Sequence, residues 1–420
     1  MGSCAIFVVF IRNNTCPILG GSPYFFEGVF NDWFPQSMWA LPMKSFFIYS
    51  DALSRFEYSP NHPFRPERAV LMLDLCKKYG LIDEPWISIV NPDSIPDDLL
   101  LLFHTPNYLE TLRNAGKGVI TDDTVMAGLG TSDNPIFSDM FEKTNCAAGG
   151  TLVGLSHVMD CPGRAVAFNP IGGFHHAFPD YAEGFCYLND IAVAGRILRR
   201  QGKRFAYIDI DAHHGNGVQA AFWEDDGALV ISMHQSGYTI YPGTGFENEI
   251  GQGKGRGYTI NVPVPPQTDD DLYLKAFRAI VPQAIAAFSP DVILAQLGAD
   301  SLANDPLTNL SLTNNGIRSI AKEIGGLCEK IVGMGGGGYN LEKATRAWTI
   351  AWAELNGIEL ENPYAGMLSG VMSGPEIEWG NLSDPHIYIT GPTKERNEKE
   401  IDRVVDYIRK TVFPIIGAPT

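Results

Sequence analysis

Short apolar runs alternate with longer segments of helical periodicity along most of this chain. Continuous apolar runs of this length are typical of strands buried on both faces of a sheet. Seven of them predict strands, at 45–49, 165–168, 205–210, 229–233, 258–262, 292–297 and 330–334.

The segments between these runs carry helix start and stop signals. Pro66 and Gly80 suit the first turn and the end of one helix, and Thr105 caps the next, with Pro106 in its first turn. Strands and helices that alternate in this way form a mostly parallel sheet covered by helices on both faces, in one large α/β domain. Further helices are predicted at 144–159, 188–201, 270–288, 314–328, 341–355 and 398–412.

Residues 1–42 do not follow this pattern. They are rich in Phe, Trp, Pro and Gly without a sustained period, and the regular pattern begins beside Met43. We interpret 1–42 as an atypical N-terminal extension or a mis-assigned start. Residues 43–370 are predicted to be the catalytic domain, and 371–420 a C-terminal segment with an amphipathic helix.

Composition narrows the function class. The 420 residues are 45% hydrophobic and carry a net charge of −17, which argues against nucleic acid as a partner. Seven widely spaced cysteines without a C-x-x-C motif predict reduced thiols in a cytoplasmic protein. No apolar run approaches the ~18 residues of a membrane helix, and "CAIFVVFI" near the start lacks the flanks of a signal peptide.

Polar, titratable residues follow four of the predicted strands, each in a glycine-containing loop. Ligands of open parallel sheets bind beyond the carboxyl ends of the strands, so these residues should meet at one edge. They are His175 and His176 after the second strand, Asp211, His213 and His214 after the third, Asp300 after the sixth and Tyr339 after the seventh.

Asp211 and His213 have metal-ligand spacing, because residues two apart in extended chain point the same way. With Asp300 they would make three protein ligands and leave a position open, the arrangement of a catalytic zinc. The competing interpretation is structural: Asp211 caps a turn and His213 packs in the core.

Two further features suit catalysis at such a site. The adjacent histidines His175 and His176 could act as general base and acid near neutral pH. The run "GGGG" before Tyr339 lets the backbone approach a ligand, so that the phenol could hydrogen-bond an oxyanion. A flexible turn with a surface tyrosine would explain the same run without a function.

Five motifs together resemble the zinc-dependent histone deacetylase family, in its class I-like and bacterial acetoin-utilisation branch. They are "IGGFHHAFPDYAEGFCYLND", "YIDIDAHHGNGVQ", "YPGTG", "QLGADSLANDP" and "GGGGYN", in family order. The resemblance runs from about residue 44 to about residue 357 and implies the arginase/deacetylase-like α/β fold.

The resemblance also implies roles for matching residues. Zinc would be held by Asp211, His213 and Asp300. His176 would be the general base, and His175 its electrostatic partner, oriented by Asp209. Tyr339 would polarise the acetyl carbonyl. The remaining implied positions are the acyl-lysine tunnel walls Phe185 and Tyr241, Gly173 at the tunnel floor, the rim acid Asp133, and a potassium site at Asp209, Asp211 and Ser232.

This chain departs from the family pattern at two site positions. Asn216 stands where class I members typically carry an aspartate beside the second histidine, which leaves the proton roles of His175 and His176 open. Tyr241 stands where many relatives have phenylalanine.

The predicted function is zinc-dependent hydrolysis of an acetyl amide, most simply that of acetyl-lysine on proteins. Competing functions are an acetylpolyamine or other small acyl-amine amidohydrolase, a binuclear manganese ureohydrolase and a non-catalytic acyl-lysine binding protein. Gly215 argues against the ureohydrolase, since that class carries a further carboxylate at this position. No membrane or nucleic-acid partner is predicted, and the oligomeric state stays open.

Overall fold

A computed structural model describes residues 43–53, 56–360 and 382–420. All of them belong to one compact unit, Pro42–Thr420. The predictions for residues 1–42 and for a domain boundary near residue 370 lie outside the described residues.

Eight parallel strands form a single sheet in the order β2-β1-β3-β8-β7-β4-β5-β6. All seven predicted strands are present, and each of their ends agrees with the prediction to within two residues. The edge strand β2 was not predicted, because two of its four residues are exposed and it has no continuous apolar run. The strands are β1 Lys44–Ile48, β2 Ile87–Val90, β3 Ala165–Asn169, β4 Phe205–Asp209, β5 Ala228–Gln235, β6 Thr259–Val264, β7 Val292–Gln296 and β8 Lys330–Met334.

Helices connect the strands. They are α1 Arg68–Lys78, α2 Asp97–Leu100, α3 Pro106–Gly116, α4 Asp122–Met126, α5 Met140–Asp160, α6 Asp190–Arg200, α7 Asn216–Ala221, α8 Asp270–Phe288, α9 Asn314–Leu327, α10 Leu341–Leu355, α11 Gly391–Thr411 and α12 Phe413–Ile416. The largest difference from prediction is α11, which begins seven residues early because Pro392 occupies its first turn. No helix of the described residues is long and apolar enough to cross a membrane.

The sheet is apolar on both faces, as parallel strands require. Alternate residues of β3 enter separate cores: Val166 and Phe168 pack on one side, Ala165 and Ala167 on the other. Ala206 and Tyr207 of β4 divide in the same way. This double burial explains why the strands appear in the sequence as unbroken apolar runs.

Strand order decides where the polar loops meet. The four strands followed by titratable residues, β3, β8, β7 and β4, are consecutive neighbours at the centre of the sheet. Their carboxyl ends therefore open onto one place, although the strands are far apart along the chain.

Candidate active site

Asp211, His213 and Asp300 form a potential metal centre. One ligand atom from each lies within 4.8 Å of the others, and all three side chains are buried. His213 Nδ1 is 2.8 Å from Asp300 Oδ2 and 3.2 Å from Asp211 Oδ1. Of the described residues, no other group of three His, Cys, Asp or Glu is arranged to hold a metal ion.

Backbone amides orient the two carboxylates. The Gly337 N–H donates to Asp211 Oδ2 at 2.7 Å, and the Ala212 N–H donates to Asp300 Oδ1 at 2.9 Å. A Cβ at Gly337 would lie only 2.3 Å from Asp300 Oδ2. Glycine is thus required at position 337 by the close approach of the backbone to the carboxylates.

The charges of this cluster suit a bound cation. Burial alone would lower the pKa of His213, but Asp211 and Asp300 outweigh it and raise the pKa to about 10. A proton on His213 therefore compensates two buried carboxylates. A divalent ion compensates them better and competes with that proton, and two carboxylates with one imidazole match a zinc donor set. The residues fit the ion that the family resemblance implies.

His175 lies beside this cluster and is paired with Asp209. Its Nδ1–H donates to Asp209 Oδ2 at 2.8 Å, and the Tyr207 hydroxyl donates to the same oxygen at 2.6 Å. Burial opposes protonation of His175, but the charges of Asp209 and Asp211 raise its pKa above the usual value. Of the first histidine pair, His175 is therefore the member whose surroundings favour protonation.

His176 has the opposite electrostatics. Burial first, and then the charges of His175 and His213, hold its pKa well below the usual range. Its Nδ1 lies 2.7 Å from Asn216 Oδ1, and its Nε2 lies 3.0 Å from His175 Nε2. Since Asn216 Oδ1 and His175 Nε2–H are an acceptor and a donor, His176 is neutral with its proton on Nδ1.

A cavity opens beside these groups, and predicted site residues line it. Phe185 and Tyr339 pack edge to face, with ring centroids 5.7 Å apart. Tyr241 lies at the mouth, 41% exposed, with its ring centroid 5.2 Å from that of His176. The predicted lining residues are Gly173, His175, His176, Phe185, Asp211 and Tyr339.

Gly173 needs to be glycine on two counts. Its φ of 100° is unfavourable for side chains, and a Cβ there would lie 2.1 Å from Gln296 Oε1. Its N–H donates to Asp190 Oδ2, and its carbonyl accepts from Gln296 Nε2, both at 2.9 Å.

Asp133 and Ser232 belong neither to the cavity lining nor to the candidate metal centre. Asp133 is exposed; its backbone carbonyl is 3.1 Å from His62 Nε2, and the His62 ring packs against Phe185. Ser232 is buried on β5 as the register partner of Asp209, and its hydroxyl contacts His234 Nδ1 at 2.9 Å. His214, beside the metal centre in sequence, contacts Thr244 and Gln219 instead.

Sequence reasoning missed Arg68, which lines the cavity. Its side chain is fully buried, with the guanidinium against the rings of Phe64 and Trp348, and burial lowers its pKa to about 10. Its Nε and Nη2 have no hydrogen-bond partner within the described part of the chain. An arginine at a helix start normally indicates solvent, so no local signal marked it.

Comparison with known proteins decides the family. The histone deacetylase domain model matches residues 62–355, well over half of the chain. The chain belongs to the histone deacetylase family. Its acetoin-utilisation branch is indicated by the acetoin utilization protein AcuC of Bacillus subtilis strain 168, 39% identical over 87% of this chain and 97% of that protein. AcuC of Staphylococcus aureus strain MRSA252 is 34% identical over 76% of this chain and 84% of its own length.

Solved structures of histone deacetylase homologues agree on the fold. The crystal structure of an HDAC homolog complexed with SAHA matches with a TM-score of 0.76 and 34% identity, over 87% of this chain and 99% of that one. The crystal structure of an HDAC homolog from Aquifex aeolicus matches with a TM-score of 0.74 and 33% identity, over the same shares of the two chains. The predicted α/β architecture is confirmed, and this histone deacetylase family member is a hydrolase that acts on acetyl amides.

Proposed function

We propose that this deacetylase is zinc-dependent and removes the acetyl group from acetyl-lysine on proteins, releasing acetate and a free amine. The main supporting observation is that Asp211, His213 and Asp300 lie together. They lie beside a cavity lined by His176 and Tyr339. Asp211, His213 and Asp300 would hold the ion. Zinc bound there would supply Lewis-acid polarisation of an acyl carbonyl and of a water molecule.

His176 is the group best suited to move the proton. With its proton on Nδ1, His176 carries its free lone pair on Nε2, which faces His175 Nε2–H at 3.0 Å, so the substrate water must take the place of that contact. In the proposed reaction Nε2 takes a proton from the attacking water. The water oxygen bonds to the acetyl carbon, the carbon–nitrogen bond breaks, and the proton passes to the leaving amine.

His175 and Tyr339 stabilise charge in this scheme. His175, kept protonated by Asp209, carries positive charge beside His176 throughout. Burial and the charges of Asp300 and Asp211 raise the pKa of Tyr339 well above the usual range, so its hydroxyl keeps its proton. A neutral phenol can donate a hydrogen bond to the acetyl oxygen as negative charge develops there.

The walls favour an uncharged aliphatic substrate. Phe185 and Tyr241 present aromatic surface at the cavity and its mouth, which suits the methylene stem of acetyl-lysine. We assign Asp133, exposed beside this mouth, the binding of substrate backbone amides. Small acetylated amines such as acetylpolyamines have a comparable methylene stem and are the principal competing substrate class.

A ureohydrolase and a non-catalytic binding protein have less support. A Cβ at Gly215 would lie 2.7 Å from Asp209 Oδ2, so a further carboxylate at this position would meet an existing one. This disfavours the two-manganese ureohydrolase. The non-catalytic binding protein is disfavoured because all three metal ligands, His176 and Tyr339 are retained.

We also propose a monovalent-cation site, best suited to potassium, at Asp209, Asp211 and Ser232. Asp209 and Ser232 are opposite each other in β4 and β5, and both are buried. The cysteines are odd in number and widely spaced along the sequence, which supports a reducing, cytoplasmic setting.

An acetate-release assay tests the main proposal. Purified enzyme is compared on acetyl-lysine peptides and acetylpolyamines, after chelation and after restoring zinc. We expect release from peptides that is lost on chelation and regained with zinc. Preference for polyamines would move the substrate to the small-amine class, and full activity under strong chelation would contradict metal dependence.

A further inference from the structure

Glu183 lies between the proposed base and the tunnel wall, and no role for it follows from the motifs. We propose that Glu183 is a positioning residue: its carboxylate orients Asn216 behind His176 and anchors the Tyr241 hydroxyl at the cavity mouth. The inference rests on the proposed function, since it deepens the role of the same site.

The backbone that carries Glu183 is pinned. The Glu183 N–H donates to the Cys186 carbonyl at 3.1 Å, and the Cys186 N–H donates back at 2.9 Å. Gly184 and Phe185 between them have φ of 54° and 68°, the double left-handed conformation of a tight hairpin turn. This turn points Phe185 into the cavity and sets the origin of the Glu183 side chain.

The turn also packs directly on the base. A Cβ at Gly184 would lie 2.4 Å from His176 Cδ2, so the residue after Glu183 touches the imidazole ring. Glu183 itself is half-buried. Its carboxylate is therefore close to the catalytic groups without belonging to the metal centre.

One contact of the carboxylate is with Asn216. The Asn216 amide nitrogen approaches Glu183 Oε2 to 3.5 Å, a long contact in which charge–dipole attraction dominates. Asn216 Oδ1 faces the other way and accepts from His176 Nδ1 at 2.7 Å and from the Gly217 N–H at 3.0 Å. An acceptor on the amide nitrogen side keeps the oxygen towards His176, which holds the proton of His176 on Nδ1.

The second contact is with Tyr241. Burial first, and then hydrogen bonding to the Glu183 carboxylate, raise the pKa of the Tyr241 hydroxyl well above its usual range. The phenol is therefore a neutral donor to an acceptor across the mouth. This hydrogen bond adds to the packing of the ring against His176, at a centroid distance of 5.2 Å, for a residue that is 41% exposed. Glu183 thus couples the position of the wall to the orientation of the base.

Glu183→Ala removes both contacts, and Glu183→Gln keeps an acceptor oxygen. We expect kcat of Glu183→Ala to fall roughly ten-fold and KM to rise, as for other supporting partners of a catalytic group. Glu183→Gln should recover most of the loss in kcat. The matched control is Asp180→Ala, which removes an exposed carboxylate from the same loop and should leave both constants unchanged.

A charge exchange tests the contact with Asn216 directly. Asn216→Asp alone would set two carboxylates against each other and should lower kcat. Adding Glu183→Gln restores a donor next to a single carboxylate and should regain several-fold of that loss. Equal effects of Asn216→Asp with and without Glu183→Gln would overturn the proposal.

The tautomer of His176 gives a readout that does not need turnover. In protein with ¹⁵N-labelled histidine, the native chain should show His176 protonated on Nδ1, and Glu183→Ala should lose this preference. An unchanged tautomer together with unchanged kinetics sinks the proposal. If Glu183→Ala changes the tautomer of His176 but the native chain releases no acetate, the proposed function is refuted and the positioning role stands.

Discussion

Adjacent histidines follow two strands of the sheet, His175–His176 after β3 and His213–His214 after β4. In the first pair both rings stay at the active site, with centroids 4.0 Å apart. In the second pair the rings separate: His213 contacts Asp211 and Asp300, and His214 contacts Thr244 and Gln219. The same dipeptide thus serves different ends.

Their surroundings explain the difference. Asp209 contacts His175, and Asn216 contacts His176, so the surroundings favour protonation of one histidine and oppose it in its neighbour. Burial first, and then the charge of His234, hold the pKa of His214 well below its usual range. What a histidine does here is set by the residues that the fold brings against it.

The largest expected effect belongs to His213. His213→Ala leaves Asp211 and Asp300 without the imidazole, so bound zinc should fall from about one per chain to near zero. Acetate release should fall to background. Metal analysis and circular dichroism measure both content and fold, with His214→Ala as the matched neighbour. Full zinc content in His213→Ala would remove it from the ligand set.

His176→Ala should come next. It removes the proposed base but no metal ligand, so kcat should fall by about 10²- to 10⁴-fold while zinc content is retained. Tyr339→Phe should also lower kcat, because it removes the hydroxyl that donates to the acetyl oxygen. Steady-state kinetics with metal analysis separate these variants from His213→Ala. Near-normal turnover in either would show that its role is misassigned.

The pH dependence of stability should have opposite signs at His175, from the first pair, and at His214, from the second. The raised pKa of His175 stabilises the fold below the unfolded pKa near ~6.5, and this is lost as pH rises through the folded pKa. The lowered pKa of His214 costs stability as pH falls below ~6.5, because only the unfolded chain takes the proton.

Urea unfolding of metal-free protein measures this contrast. The advantage of the native chain over His175→Gln should shrink above pH ~6.5, and its advantage over His214→Gln should shrink below it. For either variant, the stability advantage of the native chain should change by at most about 1.4 kcal/mol per pH unit. Parallel pH profiles for the two variants would contradict the assigned charge states.

The smallest expected effect is that of His214→Gln on catalysis. His214 holds Thr244, three residues beyond Tyr241, through a 2.8 Å contact. A glutamine should loosen this loop and raise KM a few-fold, with kcat almost unchanged, since the loop positions substrate only. Thr244→Val tests the same contact from the other side. A large fall in kcat would instead place His214 in the chemistry.

Much of the fold was predictable because parallel strands buried on both faces leave unbroken apolar runs. Seven strands appeared this way, including the edge strand β6, whose residues are all buried, whereas the edge strand β2, half exposed, did not. Helix α11 was predicted too short because polar residues and Pro392 occupy its first turns. Solvent-exposed strands and helix ends carry little apolar signal, since tertiary burial does not impose it there.

The site divides along the same line. Asp211 and His213 could be paired from their spacing, and Asp300 and Tyr339 from the glycine-rich loops that follow strands. Arg68 and Glu183 could not, because each acts by contacts across long separations in sequence, Arg68 with Gly338 and Trp348, and Glu183 with Asn216 and Tyr241.

The sequence by itself determined the family, the parallel α/β architecture and the residue types available for metal binding and proton transfer. Only the tertiary structure decided which histidine of each pair is charged, which leaves the site, and where Arg68 and Glu183 lie. The physical reason is that periodicity reports burial along one element, whereas protonation and orientation depend on neighbours that strand order brings together.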